Sequence, residues 1–236
     1  MSARRIPRLR WRIAGLLGIG VLINYFDRIS ISVAAPQLQH SFHLTPVDLG
    51  VLFSAFFWSY ALLQIPVGMV VDRFGVTRIG RWSAFLWSAA QALTACAGGF
   101  VGIFLARLLL GIAEAPSFPA SSKATGYWFP RAERALSTSL YDVGAKFSNV
   151  IGVPLVALVV VRFGWRWGFA VVAALSLVYF ALFYRMYRDP SKHPALTREE
   201  REYLATHGAE PEGRPAGNTA GMLGYLLGTR KIWGLA

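Results

Sequence analysis

The chain has 236 residues, 55% of them hydrophobic and 15% charged, with a mean hydropathy of +0.44. A soluble domain carries about 25% charged residues, so this composition excludes an ordinary soluble enzyme or binding module and describes a membrane protein. The net charge of +12 does not point to nucleic acid, because the basic residues sit in short tracts between apolar runs, as topology signals do.

Six apolar spans are predicted, at residues 11–35, 49–71, 82–97, 100–121, 136–161 and 167–187, most of them near the roughly 20 residues a helix needs to cross hydrocarbon. The fold class is therefore all-α integral membrane, a six-transmembrane-helix bundle over residues 13–188. Residues 1–12 form a basic cytoplasmic tail with Arg4, Arg5, Arg8, Arg10 and Arg12. The tail imitates the start of a secretory signal. Asp27 and Arg28 interrupt the apolar run behind it, and no small-residue cleavage site follows closely, so it reads as the start of an uncleaved span. A polar loop is expected over 37–46, a basic turn over 72–81, and a polar, basic tail behind the fourth span over 122–134. Pro66, Pro116, Pro119 and Pro154 are expected to bend or loosen their helices. Gly15, Gly18, Gly20, Gly102, Gly111, Gly144 and Gly152 fit close helix approach, which must supply association where lipid provides no hydrophobic drive.

Residues 189–221 read as a cytoplasmic central loop carrying a short amphipathic helix, opened by the capping pattern of Thr197 and Glu200 and stopped at Gly208. Residues 222–236 read as an interfacial segment and the start of a seventh, truncated helix. Lys and Arg number five in the tail, three in 72–81, three in 122–135 and five in 184–202, sixteen in all, against two, Arg162 and Arg166, in the alternate connections. That bias places both ends of the bundle in the cytoplasm.

The chemistry sits inside the spans. Asp27 and Arg28 lie in the first and Arg107 and Glu114 in the fourth, where a charge facing lipid costs about 2.5–3.5 kcal/mol even on the lenient insertion scale. They must face a protein or water-filled interior. A structural ion pair is the plain alternative to a substrate or ion pathway. Arg107 and Glu114 share a helix face, but their side chains lean so that direct contact is marginal. A carboxylate whose Arg partner leaves to bind a ligand can take up a proton, and an Arg fork suits a carboxylate ligand. Lys146 is a further charge in the fifth span, read as a snorkelling or paired lysine or as a ligand, and Tyr25, Tyr60 and Gln64 could bond a ligand or join helices.

An intramembrane hydrolase would want a histidine base at membrane depth. His40, His43, His193 and His207 all fall in expected loops, so no enzyme is expected. No metal-ligand cluster or phosphate-binding glycine loop stands out, so no cofactor is expected either. The single cysteine, Cys96, allows no intrachain disulfide.

The turn from Gly68 through Asp72, Arg73 and Gly75 to Arg78 resembles the signature between helices two and three of the major facilitator superfamily. Asn-Tyr-Phe-Asp-Arg at Asn24, Phe-Ser-Ala-Phe-Phe-Trp-Ser-Tyr at Phe53 and Gly-Ile-Ala-Glu-Ala-Pro at Gly111 resemble its anion:cation symporter branch, nearest the bacterial glucarate, galactonate and hexuronate permeases. The resemblance implies proton-coupled uptake of an organic anion by the N-terminal half of a twelve-helix transporter in the inner membrane. It implies Asp27 and Glu114 as coupling acids, Arg28 as the substrate-carboxylate ligand, and Tyr25, Tyr60 and Gln64 as substrate-binding cavity positions. Arg107 would partner Glu114, and Asp72, Arg73 and Arg78 would serve in gating ion pairs. Lys146 departs from the pattern, which usually has a small or neutral residue there. The partners implied are a small organic anion, a proton, the lipid bilayer and a C-terminal six-helix half, and without that half the chain is expected to be a transport-incompetent fragment. The other readings are a six-helix sensor or accessory subunit, and a carrier of aromatic, phthalate-like carboxylates.

Overall fold

Backbone polar groups in hydrocarbon must be satisfied within the segment that carries them, which leaves the helix as the natural form for long apolar runs. In the computed structural model, which describes residues 8–212 apart from the Ile65 side chain, every such run is helical and no strand occurs among the described residues. In chain order the helices are α1 (Leu9–Phe42), α2 (Pro46–Phe74), α3 (Val76–Cys96), α4 (Phe100–Glu114), α5 (Ser117–Trp128), α6 (Arg131–Phe163), α7 (Trp165–Met186) and α8 (Arg198–Thr206). A 3-10 turn at Pro190–Lys192 precedes α8. The segment expected to begin a seventh span lies outside the described residues.

Leu9–Phe42, Pro46–Gln64, Phe100–Trp128, Arg131–Phe163 and Trp165–Met186 are each long and apolar enough to cross a membrane. The remaining expected span corresponds to α3, whose 21 residues suffice in length but carry Arg78 and Arg81 near their start and four buried polar side chains, Ser83, Ser88, Gln91 and Thr94. α3 packs against α4 and α7, Ser83 Oγ donates to the Ala113 carbonyl at 2.6 Å, and Gln91 Nε2 donates to the Asp27 carbonyl of α1.

Three boundaries depart from the sequence expectation. α1 starts at Leu9, so Arg10 and Arg12 belong to its first turn and not to a tail. It also runs through Pro36 to Phe42, which shortens the expected loop over 37–46 to three residues. Proline removes one donor from the ladder, and the Gln37 amide, donating to the Val160 carbonyl at 2.9 Å, ties this extension to α6. α2 then opens on a complete capping box between Thr45 and Asp48, with Pro46 in its first turn. Finally, the fourth span does not fade into a polar tail at 121. It breaks at Ala115 and Pro116 and resumes as α5 to Trp128.

α1 packs against α6 and α7, α3 against α7 and α4, and α2 against α4. The α1–α6 contact is backbone to backbone: a Cβ at Gly144 would sit 2.8 Å from the Gly18 carbonyl oxygen. Small residues permit this approach, and in lipid close packing is what holds helices together.

α8 is fastened to the basic end of the bundle. The Thr197 hydroxyl caps it, accepting from Glu200 N at 3.3 Å, but the Glu200 carboxylate serves a different helix. Its Oε2 accepts from Leu9 N at 3.3 Å, and its Oε1 accepts from Arg10 N at 3.2 Å and Arg10 Nη1 at 3.0 Å. The buried Glu200 thus caps α1, at the end where a helix dipole favours an anion. Arg10 also pairs with Glu133 at 2.7 Å, and Glu133 accepts from the Tyr203 hydroxyl at 2.9 Å. Glu200→Ala leaves two amides of α1 and part of a buried guanidinium unsatisfied. We expect a loss of about 3 kcal/mol in stability, measured as a fall in melting temperature in detergent. The Arg198→Ala control, at an exposed pair, should leave the melting temperature near wild type.

Candidate functional site

Asp27 and Arg28 are neighbours on α1, about 100° apart around the helix axis, and the structure points them at different helices. Asp27 is fully buried and faces α3, α4 and α7. Its carboxylate accepts from Ser176 Oγ, at 3.3 and 3.4 Å to the two oxygens. Its backbone carbonyl accepts from Gln91 Nε2 at 3.1 Å and Arg107 Nη1 at 3.4 Å. Arg28 faces α2 and α4. Its Nε donates to Glu114 Oε2 at 3.0 Å, with the Glu114 side chain fully buried and the Arg28 side chain 17% exposed.

The expected pairing of Glu114 with Arg107 is therefore corrected: Glu114 takes Arg28 from another helix. Arg107 and Glu114 do lie on one face of α4, but side chains lean toward the helix N-terminus. Arg107 instead reaches the Asp27 carbonyl, and both guanidiniums remain close enough to act on the Glu114 charge.

Three aromatic rings enclose the Arg28 guanidinium, whose central carbon lies 5.0 Å from the Tyr25 ring centre, 4.9 Å from Phe56 and 4.7 Å from Tyr60. Phe56 stacks on Tyr60 and its ring centre also lies 5.2 Å from the Arg107 guanidinium carbon, so both arginines contact one ring. Cation–π attraction is strongest where water is excluded. Arg28 Nη2, Arg107 Nε, Gln91 Oε1 and Glu114 Oε1 are buried without a hydrogen-bond partner of standard geometry among the described residues. The site thus keeps spare donors and acceptors beside an aromatic wall, an arrangement that can hold a carboxylate on Arg28 once Glu114 yields it.

The other expected site residues fall elsewhere. Gln64 lies half-buried one turn beyond Tyr60. Asp72 pairs with Lys123 of α5, a lysine that by sequence belongs to the basic tail of the fourth span. Arg73 lies over the ring of its neighbour Phe74, and Arg78 lines a surface cleft. Lys146 is exposed on α6, on the same face as exposed Asp142 and Asn149, and makes no ion pair among the described residues. Phe56, Gln91 and Ser176 were missed. Isolated polar residues deep in spans were a usable signal for the last two, whereas nothing distinguishes Phe56 from the aromatics around it.

The sequence profile described as Major Facilitator Superfamily matches residues 17–236. The chain belongs to that superfamily. It is 43% identical to the uncharacterized transporter YybO of Bacillus subtilis, over all of this chain and 55% of YybO. It is 35% identical to the probable galactarate/D-glucarate transporter GudP of Escherichia coli, over 88% of this chain and 48% of GudP. To the galacturonate transporter of Dickeya chrysanthemi it is 34% identical, over 98% of this chain and 67% of that protein. The chain thus spans about half the length of most curated relatives it matches, and these relatives are transporters, not enzymes. Among solved structures, a bacterial homolog of the human lysosomal transporter Spinster, inward-facing and unoccupied, superposes with a TM-score of 0.70 at 22% identity. That match covers 78% of this chain and 44% of the Spinster homolog and shows the same helical fold.

The position of Phe56 rests on Gly111. A Cβ at Gly111 would lie 2.4 Å from the Phe56 carbonyl oxygen and 2.1 Å from Ser59 Oγ. Gly111→Ala must push α2 away from α4, and overpacking of this kind costs about 1–3 kcal/mol. We expect a lowered melting temperature together with weakened ligand binding. Ala113→Gly, on the same helix, should lower stability without moving α2.

Proposed function

We propose that this chain is the N-terminal half of a proton-coupled symporter for an organic anion of the sugar-acid class. The observation that carries the reading is the Arg28–Glu114 pair. A permanently charged fork, held in an aromatic box at a partly open edge, is matched to a carboxylate that moves with its ligand. When a substrate carboxylate takes Arg28, Glu114 loses its nearest cation while remaining fully buried. A buried carboxylate without a partner is expensive, and a proton relieves it. Substrate and proton are then bound together. Asp27, held by Ser176 on the far side of α1, is the second coupling acid. Tyr25 and Tyr60 position the Arg28 fork, and Gln64 extends the polar wall beyond Tyr60. The names of the galactarate/D-glucarate, galacturonate and hexuronate transporters among the relatives support the substrate class.

Transport by alternating access needs a second bundle to form the opposite wall. The exposed Asp142, Lys146 and Asn149 of α6 support one on this face, since charges turned to lipid there would be costly. Lys146 in this position meets either that second half or the substrate path. Asp72 with Lys123, together with Arg73 and Arg78, would belong to the gating end of the helices. The distribution of Lys and Arg supports an inner-membrane protein with both ends of the bundle in the cytoplasm.

Three measurements test these points. In the complete transporter, Arg28→Ala should abolish anion binding by calorimetry, and Arg28→Lys should restore it only in part, for want of the bidentate geometry. Glu114→Gln, an uncharged mimic of the protonated state, should still bind the anion and exchange labelled for unlabelled substrate in liposomes. It should fail to accumulate substrate under a proton gradient. Accumulation at the wild-type level would remove Glu114 from coupling. For topology, single cysteines at His40 and at Arg131, both exposed, in a Cys96→Ser background should label from outside and inside the cell respectively.

A further inference from the structure

A cleft of about 760 Å³ opens on the outer surface of the bundle between the start of α3 and the end of α7. It uses none of the residues of the α1–α4 charge cluster. Four cations line it, Arg78 and Arg81 from α3 and Arg188 and Lys192 from the segment after α7. Arg81 is fixed: its Nη2 donates to the Tyr184 carbonyl at 3.2 Å and the Tyr187 carbonyl at 3.5 Å, and it lies over the Tyr184 ring at 4.3 Å. Its Nε is buried without a partner among the described residues. The single carboxylate lining the cleft is Asp189, which already accepts from the Tyr187 hydroxyl at 3.4 Å and whose pKa is raised by burial. Nearby Glu212 is held by Ser191 N at 2.6 Å. The cleft therefore carries a clear positive excess.

One side of the cleft is apolar. Trp82, Phe85 and Tyr184 are exposed there, and Phe180 packs against both Phe85 and Tyr184. This aromatic strip continues from the basic group into the flank of two membrane helices, so a ligand occupying both parts has an anionic head and a hydrocarbon tail. The flank belongs to lipid. Between their terminal turns, where Arg78, Arg166 and Arg185 are exposed, the outward residues of α3 and α7 are apolar, whereas exposed Asp142 and Lys146 lie well inside α6. Basic pockets between membrane helices on the cytoplasmic side hold lipid head groups, and aromatic rings anchor at that depth.

We propose that this cleft is a binding site for one anionic phospholipid, its phosphate held by Arg78, Arg81, Arg188 and Lys192 and its acyl chain laid along Trp82 and Phe85. The site joins α3 to the chain behind α7, so an occupied site braces the end of the bundle on which α8 is mounted.

The test is native mass spectrometry of the protein released from nanodiscs holding equal amounts of phosphatidylglycerol and phosphatidylcholine with the same acyl chains. Wild type should retain one phosphatidylglycerol in preference to phosphatidylcholine. Arg78→Gln/Arg188→Gln/Lys192→Gln, which spares the structural Arg81, should weaken that retention by roughly a hundredfold, each interfacial cation contributing a similar share. Equal retention in the triple variant, or no preference in wild type, overturns the proposal. Displacement of the lipid by millimolar inorganic phosphate also overturns it, by making the site one for a soluble anion. A second reading alters no charge. Phosphatidylglycerol with brominated acyl chains should quench tryptophan emission in wild type, and Trp82→Phe should remove the part of the quenching specific to that lipid. If that part survives in Trp82→Phe, the lipid lies elsewhere.

Discussion

Glu114 sits with no solvent exposure on a helix that crosses the bilayer, and a negative charge there is tolerable only while something positive stays beside it. Much of the architecture follows from that condition. The cation comes from α1, which must lie close enough to α4 for Arg28 to reach 3.0 Å. The aromatic face of α2 then has to approach the guanidinium, and it can do so because Gly111 lets the α2 backbone close on α4. Arg107 is a second cation, in contact with the same Phe56 ring. Removing one member of such a group leaves the others uncompensated, so these positions couple strongly to one another.

The two sides of α1 differ in kind. On the Asp27 side the helix is fixed, its own carbonyl taken by Gln91 and Arg107 and its carboxylate by Ser176, which ties it to α3, α4 and α7. On the Arg28 side the contacts are a single ion pair and the faces of three rings. Ring faces accept a guanidinium over a range of positions, whereas a hydrogen-bonded carbonyl does not. One helix therefore presents a heavily hydrogen-bonded anchor and a lightly held guanidinium at consecutive residues. That is a suitable construction for a site whose cation must change partners without loosening the bundle.

The helical membrane fold was legible in the sequence because hydropathy and the placement of Lys and Arg answer directly to the bilayer. That Asp27, Arg28, Arg107 and Glu114 turn into the bundle was legible for the same reason, since charge inside a span is costly anywhere but in an interior. The pairing was not. Whether Glu114 meets Arg107 on its own helix or Arg28 across an interface depends on the rotation of α1 against α4, which is set by packing of many small and aromatic residues. Helix ends were also hidden. Pro36 signals a break by propensity, yet the Gln37 bond to α6 and the packing of Phe42 on Trp165 carry the helix past it. Likewise, a polar stretch such as Ser121 to Thr125 reads as a tail until α5 is seen burying Ser121, Ala124 and Thr125 against its neighbours.

The capping of α1 by Glu200 has a consequence for how the protein is made. α1 leaves the ribosome ahead of α2 to α8, but the carboxylate that satisfies its opening amides lies 190 and 191 residues further along the chain. At ordinary rates of synthesis, about 5–20 residues per second, that interval is roughly 10–40 seconds. During it, the opening amides of α1 are left to water or lipid head groups, while α2 to α7 are inserted around its remaining length. The basic end of the bundle is thus closed last, by a surface helix that carries its cap to a helix already in the membrane.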